Sequence, residues 1–316
     1  MSEDVPKTGG YEDKSSMTHM ETPISQEDKS ENTLKVSPQD NIEKPCGCGS
    51  KGSSLVEEPM KGSFVYAIGK LEPRFPSPGL EKEYLQALGR SETKGQTNYE
   101  AMRTALSKRE NRYLLRQICW VLRIEGLETY IVTPRDSGDF EVLVDALRTP
   151  PRGTDVDAVI GVRGPISPPE MCNGLMVPIV IFDQIYSFDI DTLVKSIPRP
   201  EKADAKRFSE TAEELLSRIT QMADNVGATD EHRALNYLSL RYDAIYANAA
   251  EMHVRDFQLD AVEVRPSRLS GTRKIVDVIF AYRNRNTDVT EKYFTRVDVT
   301  EKFPYLVSKL TTYFDR

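Results

Sequence analysis

From Phe64 onward the chain is a succession of short apolar runs and amphipathic stretches, with Gly, Pro, Asn and Asp clustered between them. Residues 64–71, FVYAIGKL, read as a short apolar strand that runs into the proline-rich turns of EPRFPSP. Ser77-Pro78 then opens a capped helix through GLEKEYLQALG, with Leu80, Tyr84, Leu85 and Leu88 on one face. A second helix is predicted over residues 99–108. In CWVLRIEGLETYIVTP two apolar runs flank Glu125-Gly126, which is a hairpin signal. DFEVLVDALR predicts a short amphipathic helix, while AVIGVRG and GLMVPIVIFDQIYSF predict two more strands. The helix DIDTLVKSI and the punctuation PRPEKAD close a first unit near residue 200.

The second unit begins with helical spacing. Leu215, Leu216, Ile219, Met222, Ala223 and Val226 define one helix. Leu235, Leu238, Tyr242, Ile245 and Ala249 define another, which Thr229 or Asp230 can cap. DFQLDAVEVRP, RKIVDVIFAY and EKYFTRVDV follow as three strands of a meander. The middle one is apolar on both faces except at Asp277 and so belongs at the centre. FPYLVSKLTTYF reads as a closing helix. The fold class is α+β. A mixed sheet-and-helix unit over residues 62–200 precedes a helical pair, a C-terminal antiparallel β-meander and the closing helix over residues 201–316.

Residues 1–61 have a different composition, rich in Ser, Glu, Asp, Lys, Thr and Pro and nearly free of aromatics; they read as a disordered acidic tail. They hold 12 acidic and 7 basic residues, so most of the chain's net charge of −7 lies there. The body is close to neutral, which argues against a general nucleic-acid binder. No apolar run of membrane-spanning length occurs, and the N-terminus lacks the apolar core of a secretory signal. Four cysteines, at 46, 48, 119 and 172, are too few for a disulfide-stapled secreted domain of this size, so a reducing cytoplasm is expected.

Several phrases carry a family resemblance. FVYAIGKLEPRFPS, CWVLRIEGLETYIVTPRD, GVRGPISPPEMCNGLMVPIV, DQIYSFD, VEVRPSRLSGTRKIVDVIFAYRNRNTDVTEKYF and VDVTEKFPYLVSKL extend over residues 64–316. In this order they resemble the C-terminal PatA/PatG-type domain of cyanobactin maturation proteases, a domain of unknown function. The CGCG segment at residues 46–49 is also similar to those proteins. The resemblance implies a place in the maturation of ribosomally synthesised, post-translationally modified peptides, alongside a subtilisin-like protease or macrocyclase. No protease domain accompanies the phrases here, so the chain is expected to stand alone and to have no Ser-His-Asp triad. GxSxG is absent, and His19, His232 and His253 have no evident serine partner. The implied role is an accessory or recognition domain for a precursor peptide or a maturation enzyme.

Three sets of residues are candidates for chemistry or binding. Cys172 lies in GPISPPEMCNGLM, with Arg163, Glu170 and Asn173 nearby; a cysteine nucleophile needs a lowered pKa, which arginine or a helix start can supply. An enzyme using Cys172 with Arg163 and Glu170 is one alternative function. The competing reading of Cys172 is a small buried residue in a proline-fixed corner. Cys46 and Cys48 offer two thiolates for zinc, completed by Cys119, Cys172, His232 or His253; the corresponding alternative is a zinc-stabilised structural module. C-x-C alone is a weak metal signal, and solvated tail thiols compete with it. The candidate binding residues are Arg163 and Asn173, at the exposed strand ends of the first unit, and Arg265, Arg268, Arg273, Arg283 and Arg285, which cluster with Lys274 at the meander turns, where they can hold an acidic peptide or simply solvate hairpin ends. Glu125, Glu128, Asp136 and Asp139 read as exposed turn carboxylates. GVRGPI lacks a nucleotide-binding spacing, and no cofactor is predicted.

Overall fold

Tyr66 and Val65 both lie out of solvent although they point to opposite faces of one strand, and this two-sided burial sets the architecture. The computed structural model describes residues 63–89, 95–150, 152–199, 204–222 and 224–314, all within one compact unit spanning 57–316. Strands β1 (Ser63–Arg74), β2 (Cys119–Ile124), β3 (Leu127–Pro134), β4 (Asp155–Ile166) and β5 (Pro178–Asp189) close into a barrel in the order β1-β2-β3-β5-β4. All pairings are antiparallel except β3 with β5. The expected hairpin turn is present, with Glu125 and Gly126 both at positive φ between β2 and β3.

The barrel interior holds Val65, Ala67, Leu71, Trp120, Leu122, Val132, Val159, Val180 and Phe182. They pack with apolar residues of α1 (Pro78–Gly89), α2 (Asn98–Leu106), α3 (Arg112–Gln117) and α4 (Phe140–Ala146). Ser77 accepts from the N–H of Leu80 at the start of α1, and Thr97 forms a capping box with Glu100 at α2. On α1 the buried residues are Leu80, Tyr84 and Ala87, whereas Leu85 is exposed. The one short helix without a sequence signal is α3, whose RYLLRQ is too brief to display a period.

The second half pairs helices with a sheet. Helices α5 (Ile190–Ser196), α6 (Ala205–Thr220), α7 (Asp230–Arg241) and α8 (Ala244–Val254) pack on β6 (Phe257–Pro266), β7 (Ile275–Asn284), β8 (Thr290–Asp298) and β9 (Tyr305–Tyr313). The sheet order is β6-β7-β8-β9, all antiparallel, and β7 is central and buried on both faces.

Three expectations are corrected here. The helix expected through Leu215, Ile219, Met222 and Val226 is α6, which ends at Thr220; the chain turns at Asp224 with positive φ, so Met222 and Val226 lie beyond the helix, and Ala223 lies outside the described residues. FPYLVSKLTTYF is not a closing helix but the edge strand β9, because Leu306 and Leu310 face the helices while Tyr305, Val307 and Lys309 alternate with them outward. The run from Leu235 to Ala249 is two helices: Tyr242 leaves α7 in an extended conformation, and its hydroxyl accepts from the Leu310 N–H at 2.8 Å.

Helix α7 also lies across the outer wall of the barrel. Tyr237 and Leu240 cover Tyr66, Ile68, Ala158 and Ile160. Asn236 donates to the Tyr66 carbonyl at 2.8 Å, and Tyr66 N–H donates to the Gly227 carbonyl at 2.9 Å. Gly227 has φ +72°, and a Cβ there would lie 2.3 Å from the Tyr66 carbonyl oxygen, so only glycine fits this approach.

Candidate functional site

GPISPPEMCNGLM forms a strap over the outside of β2, β3 and β5. Ser167 anchors both ends of it: its N–H donates to the Val177 carbonyl at 2.9 Å and its hydroxyl to the Leu175 carbonyl at 2.8 Å. Met171 N–H returns to Pro168, and Gly174 N–H returns to Pro169, with Asn173 and Gly174 at positive φ. Cys172 points down from this turn, is 0% exposed, and is joined to Cys119 of β2 in a disulfide. Val121, Ile131, Leu175, Val177 and Ile179 enclose the pair. A nucleophile needs a thiolate within reach of substrate, and this sulfur has neither freedom nor access. Glu170 and Arg163 are exposed, and Asn173 contributes its carbonyl to Arg74 at 3.3 Å. Arg74 in turn holds Glu128 at 2.6 Å. The bonded Cys119–Cys172 pair also means that the cysteine count gives no compartment; no helix among the described residues is long and apolar enough to cross a membrane.

The meander arginines carry less free charge than their number suggests. Arg265 hydrogen-bonds Tyr313 and lies over its ring; Arg273 pairs with Asp298 and Tyr305; Arg283 pairs with Asp260 at 2.9 Å. Arg285 approaches His253 at 3.5 Å, and Arg268 is exposed. Cys46 and Cys48 lie outside the described residues. Among the described residues, no group of three or more His, Cys, Asp or Glu is placed to hold a metal.

A pronounced cleft lies elsewhere, between the mouth of the barrel and α6. This cleft encloses about 560 Å³ and is lined by β1, the β2–β3 turn, the start of β4, the end of β5 with the start of α5, and α6. Its apolar wall includes Ile68, Ile124, Val156, Phe188 and Leu216. Five carboxylates line it (Glu72, Glu125, Asp155, Asp191 and Glu213) against two cations, Lys70 and Arg123. Arg123 is committed, to Glu72 at 3.0 Å and to the Gly126 carbonyl at 2.8 Å. Asp155 is held by Arg148 at 3.5 Å and by the Arg152 N–H at 2.5 Å. No histidine or cysteine lines the cleft.

Beneath this mouth sits Asp157, 4% exposed and oriented into the barrel. It accepts from the Leu71 N–H at 2.7 Å and from the Ser187 hydroxyl. Burial pushes its carboxyl up from 3.8 to about 6, against the opposing pull of those two hydrogen bonds. The cleft residues went unrecognised in sequence because β1, β4 and α6 are far apart along the chain. Asp157 did leave a signal, a lone charge inside the otherwise apolar run VDAVIGV.

A five-stranded barrel joined to a helix-backed antiparallel sheet defines the class of domain, and the comparisons with known proteins agree on its kind. Residues 202–313 match the family model described as PatG C-terminal. The chain is similar to a solved structure described as the PatG domain of unknown function, with a TM-score of 0.66 and 19% identity, covering 80% of this chain and 99% of that one. That coverage carries the shared fold beyond residues 202–313. The resemblance read from the sequence phrases therefore stands: residues 202–313 are similar to the PatG C-terminal family, and the chain shares the fold of a PatG domain of unknown function. No curated protein matches it.

Proposed function

We propose that the chain is a non-catalytic recognition module in the maturation of ribosomally synthesised, post-translationally modified peptides of the cyanobactin type. Its partner is a precursor peptide or an enzyme that processes one. The PatG-type domain supplies the context, and one observation of the chain itself carries the reading. The cleft at α6 combines an apolar wall with carboxylates and a committed arginine, the furniture of a binding groove, while the best nucleophile candidate is sealed under the strap as half of a disulfide. Recognition by such a module raises the local concentration of substrate at a processing enzyme without any bond being made or broken.

The test is co-expression of the chain with a precursor peptide encoded beside it, followed by affinity capture and mass spectrometry. Retention of the peptide at unchanged mass is the expected result. A mass change that depends on this chain would replace the proposal with an enzymatic one, and no retention of precursor or processing enzyme would remove it.

A further inference from the structure

A second groove adjoins the acidic cleft. Glu72 lines both, and beyond it an open trough of about 360 Å³ runs between α1 and α2, walled by Pro73, Tyr84, Leu85, Leu88, Tyr99 and Met102. The Glu72–Arg123 pair stands where the two meet, with Tyr99 near enough that both charges act on its hydroxyl. One side of this junction is therefore apolar and aromatic, with Leu85 54% exposed on a helix whose Leu80 is buried and whose Leu88 is half-buried. The other side is acidic. Within the cleft, Glu72 is neutralised by Arg123 and Asp155 by Arg148, which leaves Glu125, Asp191 and Glu213 facing Lys70.

We infer that these two adjoining grooves together form a trough that binds an extended peptide segment in which apolar side chains adjoin lysine or arginine, the apolar part lying between α1 and α2 and the cations in the cleft at α6. The inference rests on the recognition reading above and supplies its site. Complementarity of charge selects the occupant. An acidic segment entering the cleft would face three unneutralised carboxylates, whereas a cationic one would pair with them in a partly enclosed space where such pairs are screened less than at the surface. An extended chain advances about 3.3 Å per residue, so a short segment spans both grooves and presents alternate side chains to the walls. The arginines of the meander do not enter this site, so the polarity is opposite to the one their number in the sequence suggests.

The test uses the full chain and three fluorescein-labelled hexapeptides that share a Leu-Ile-Leu half and end in Lys-Arg-Lys, Gln-Gln-Gln or Glu-Glu-Glu, followed by fluorescence anisotropy. The cationic peptide is expected to bind at least about tenfold tighter than the acidic one, with the neutral one between them. Glu213→Lys combined with Glu125→Lys, both exposed positions, is expected to weaken the cationic peptide by about tenfold or more and to improve the acidic one. Leu85→Glu, also exposed, is expected to weaken all three. Each variant must keep the parent's thermal melt; a loss of binding with a changed melt is referred to Lys70→Glu, which is expected to strengthen the cationic peptide. Equal affinity for the three peptides, or indifference to the charge reversals, overturns the inference. If a precursor peptide is retained by the Glu213→Lys, Glu125→Lys protein as well as by the parent, the trough is overturned and the recognition reading survives. If the cationic peptide binds as described but no precursor is retained, the trough stands and that reading falls. A chain that dimerises through the trough, with the dimer dissolved by the same charge reversals, also overturns the peptide assignment.

Discussion

Cys119 and Cys172 are bonded to each other across 53 residues of sequence, with their Cα atoms 6.0 Å apart. The bond fastens a proline-rich strap to the outer wall of a barrel strand. It turns a residue with the surroundings of a reactive cysteine into one that closes a small apolar cluster with Val121, Ile131, Leu175 and Ile179. Rigidity of the strap comes from two sources, this bond and the hydrogen bonds of Ser167, so the loop keeps its shape from both ends.

Oxidised native protein is therefore expected to protect both sulfurs from iodoacetamide, and peptide mapping should recover residues 119 and 172 as one linked pair. Cys172→Ser is expected to lower stability by about 2–4 kcal/mol, the typical value for closing a loop of this size, while leaving any retention of precursor peptide unchanged. Alkylation of Cys172 in the folded, unreduced protein would refute the assignment.

Asp157 should make stability depend on pH in the direction opposite to that of a salt-bridged carboxylate. Its pKa is pushed up from 3.8 to about 6 in the folded protein, so across that interval the folded state binds the proton more tightly than the unfolded chain. The contribution to stability is thus present below the unfolded value and is lost as pH rises through about 6. A shift of roughly two units corresponds to about 3 kcal/mol. Asp157→Asn can still accept from the Leu71 N–H and donate to Ser187. It is expected to be the more stable protein above neutrality and to flatten the slope; urea melts across the range check both, and an unchanged slope would sink the idea.

Much of the fold was legible because local chemistry and tertiary packing agree. Glu125-Gly126 marks the hairpin, Thr229 caps α7 through the His232 N–H, and the two-sided apolar run RKIVDVIFAY marks the central strand. The misreadings fall where long-range contacts decide. LVSKLT fits both helix and strand spacing, and only pairing with β8 settles it. Tyr242 fits the helical period yet leaves the helix because its hydroxyl is taken up by β9. The cleft could not be read at all, since Lys70, Asp155 and Glu213 become neighbours only when the barrel closes and α6 docks. Pairing of Cys119 with Cys172 is likewise a matter of connectivity that four cysteines leave open.

The two halves of the chain should unfold together. Asn236 and Asn225 exchange amide hydrogen bonds of 2.8 and 3.2 Å, Asn236 also reaches the Tyr66 carbonyl, and all of this is buried between α7 and β1. Trp120, the lone tryptophan, lies inside the barrel and reports on that half alone. Its fluorescence and the far-ultraviolet circular dichroism are expected to give coincident urea transitions. Asn236→Ala should destabilise by about 2–4 kcal/mol because it strands a buried carbonyl and a buried amide, and should shift both probes equally. Separate transitions would show two independently folding domains.

Arg233 offers the sharpest test of how β9 is held. Its side chain is buried, and its guanidinium donates to the Val299 carbonyl at 2.8 Å and to the carbonyls of Glu301 and Lys302. It also pairs with Asp230 at 3.3 Å and lies 5.2 Å from the centre of the Phe64 ring. One planar fork thus ties α7, the β8–β9 connection and the first barrel strand together, which a lysine's single ammonium cannot do. Burial lowers its pKa, but the fork stays charged across any practical pH. Arg233→Lys is expected to cost about 2–4 kcal/mol, since carbonyls now satisfied are left without donors. Hydrogen exchange should rise first over residues 299–313, with the amides of β2 and β3 keeping the parent's protection. Faster exchange throughout the barrel at the same denaturant concentration would mean that Arg233 supports the whole fold and not this edge.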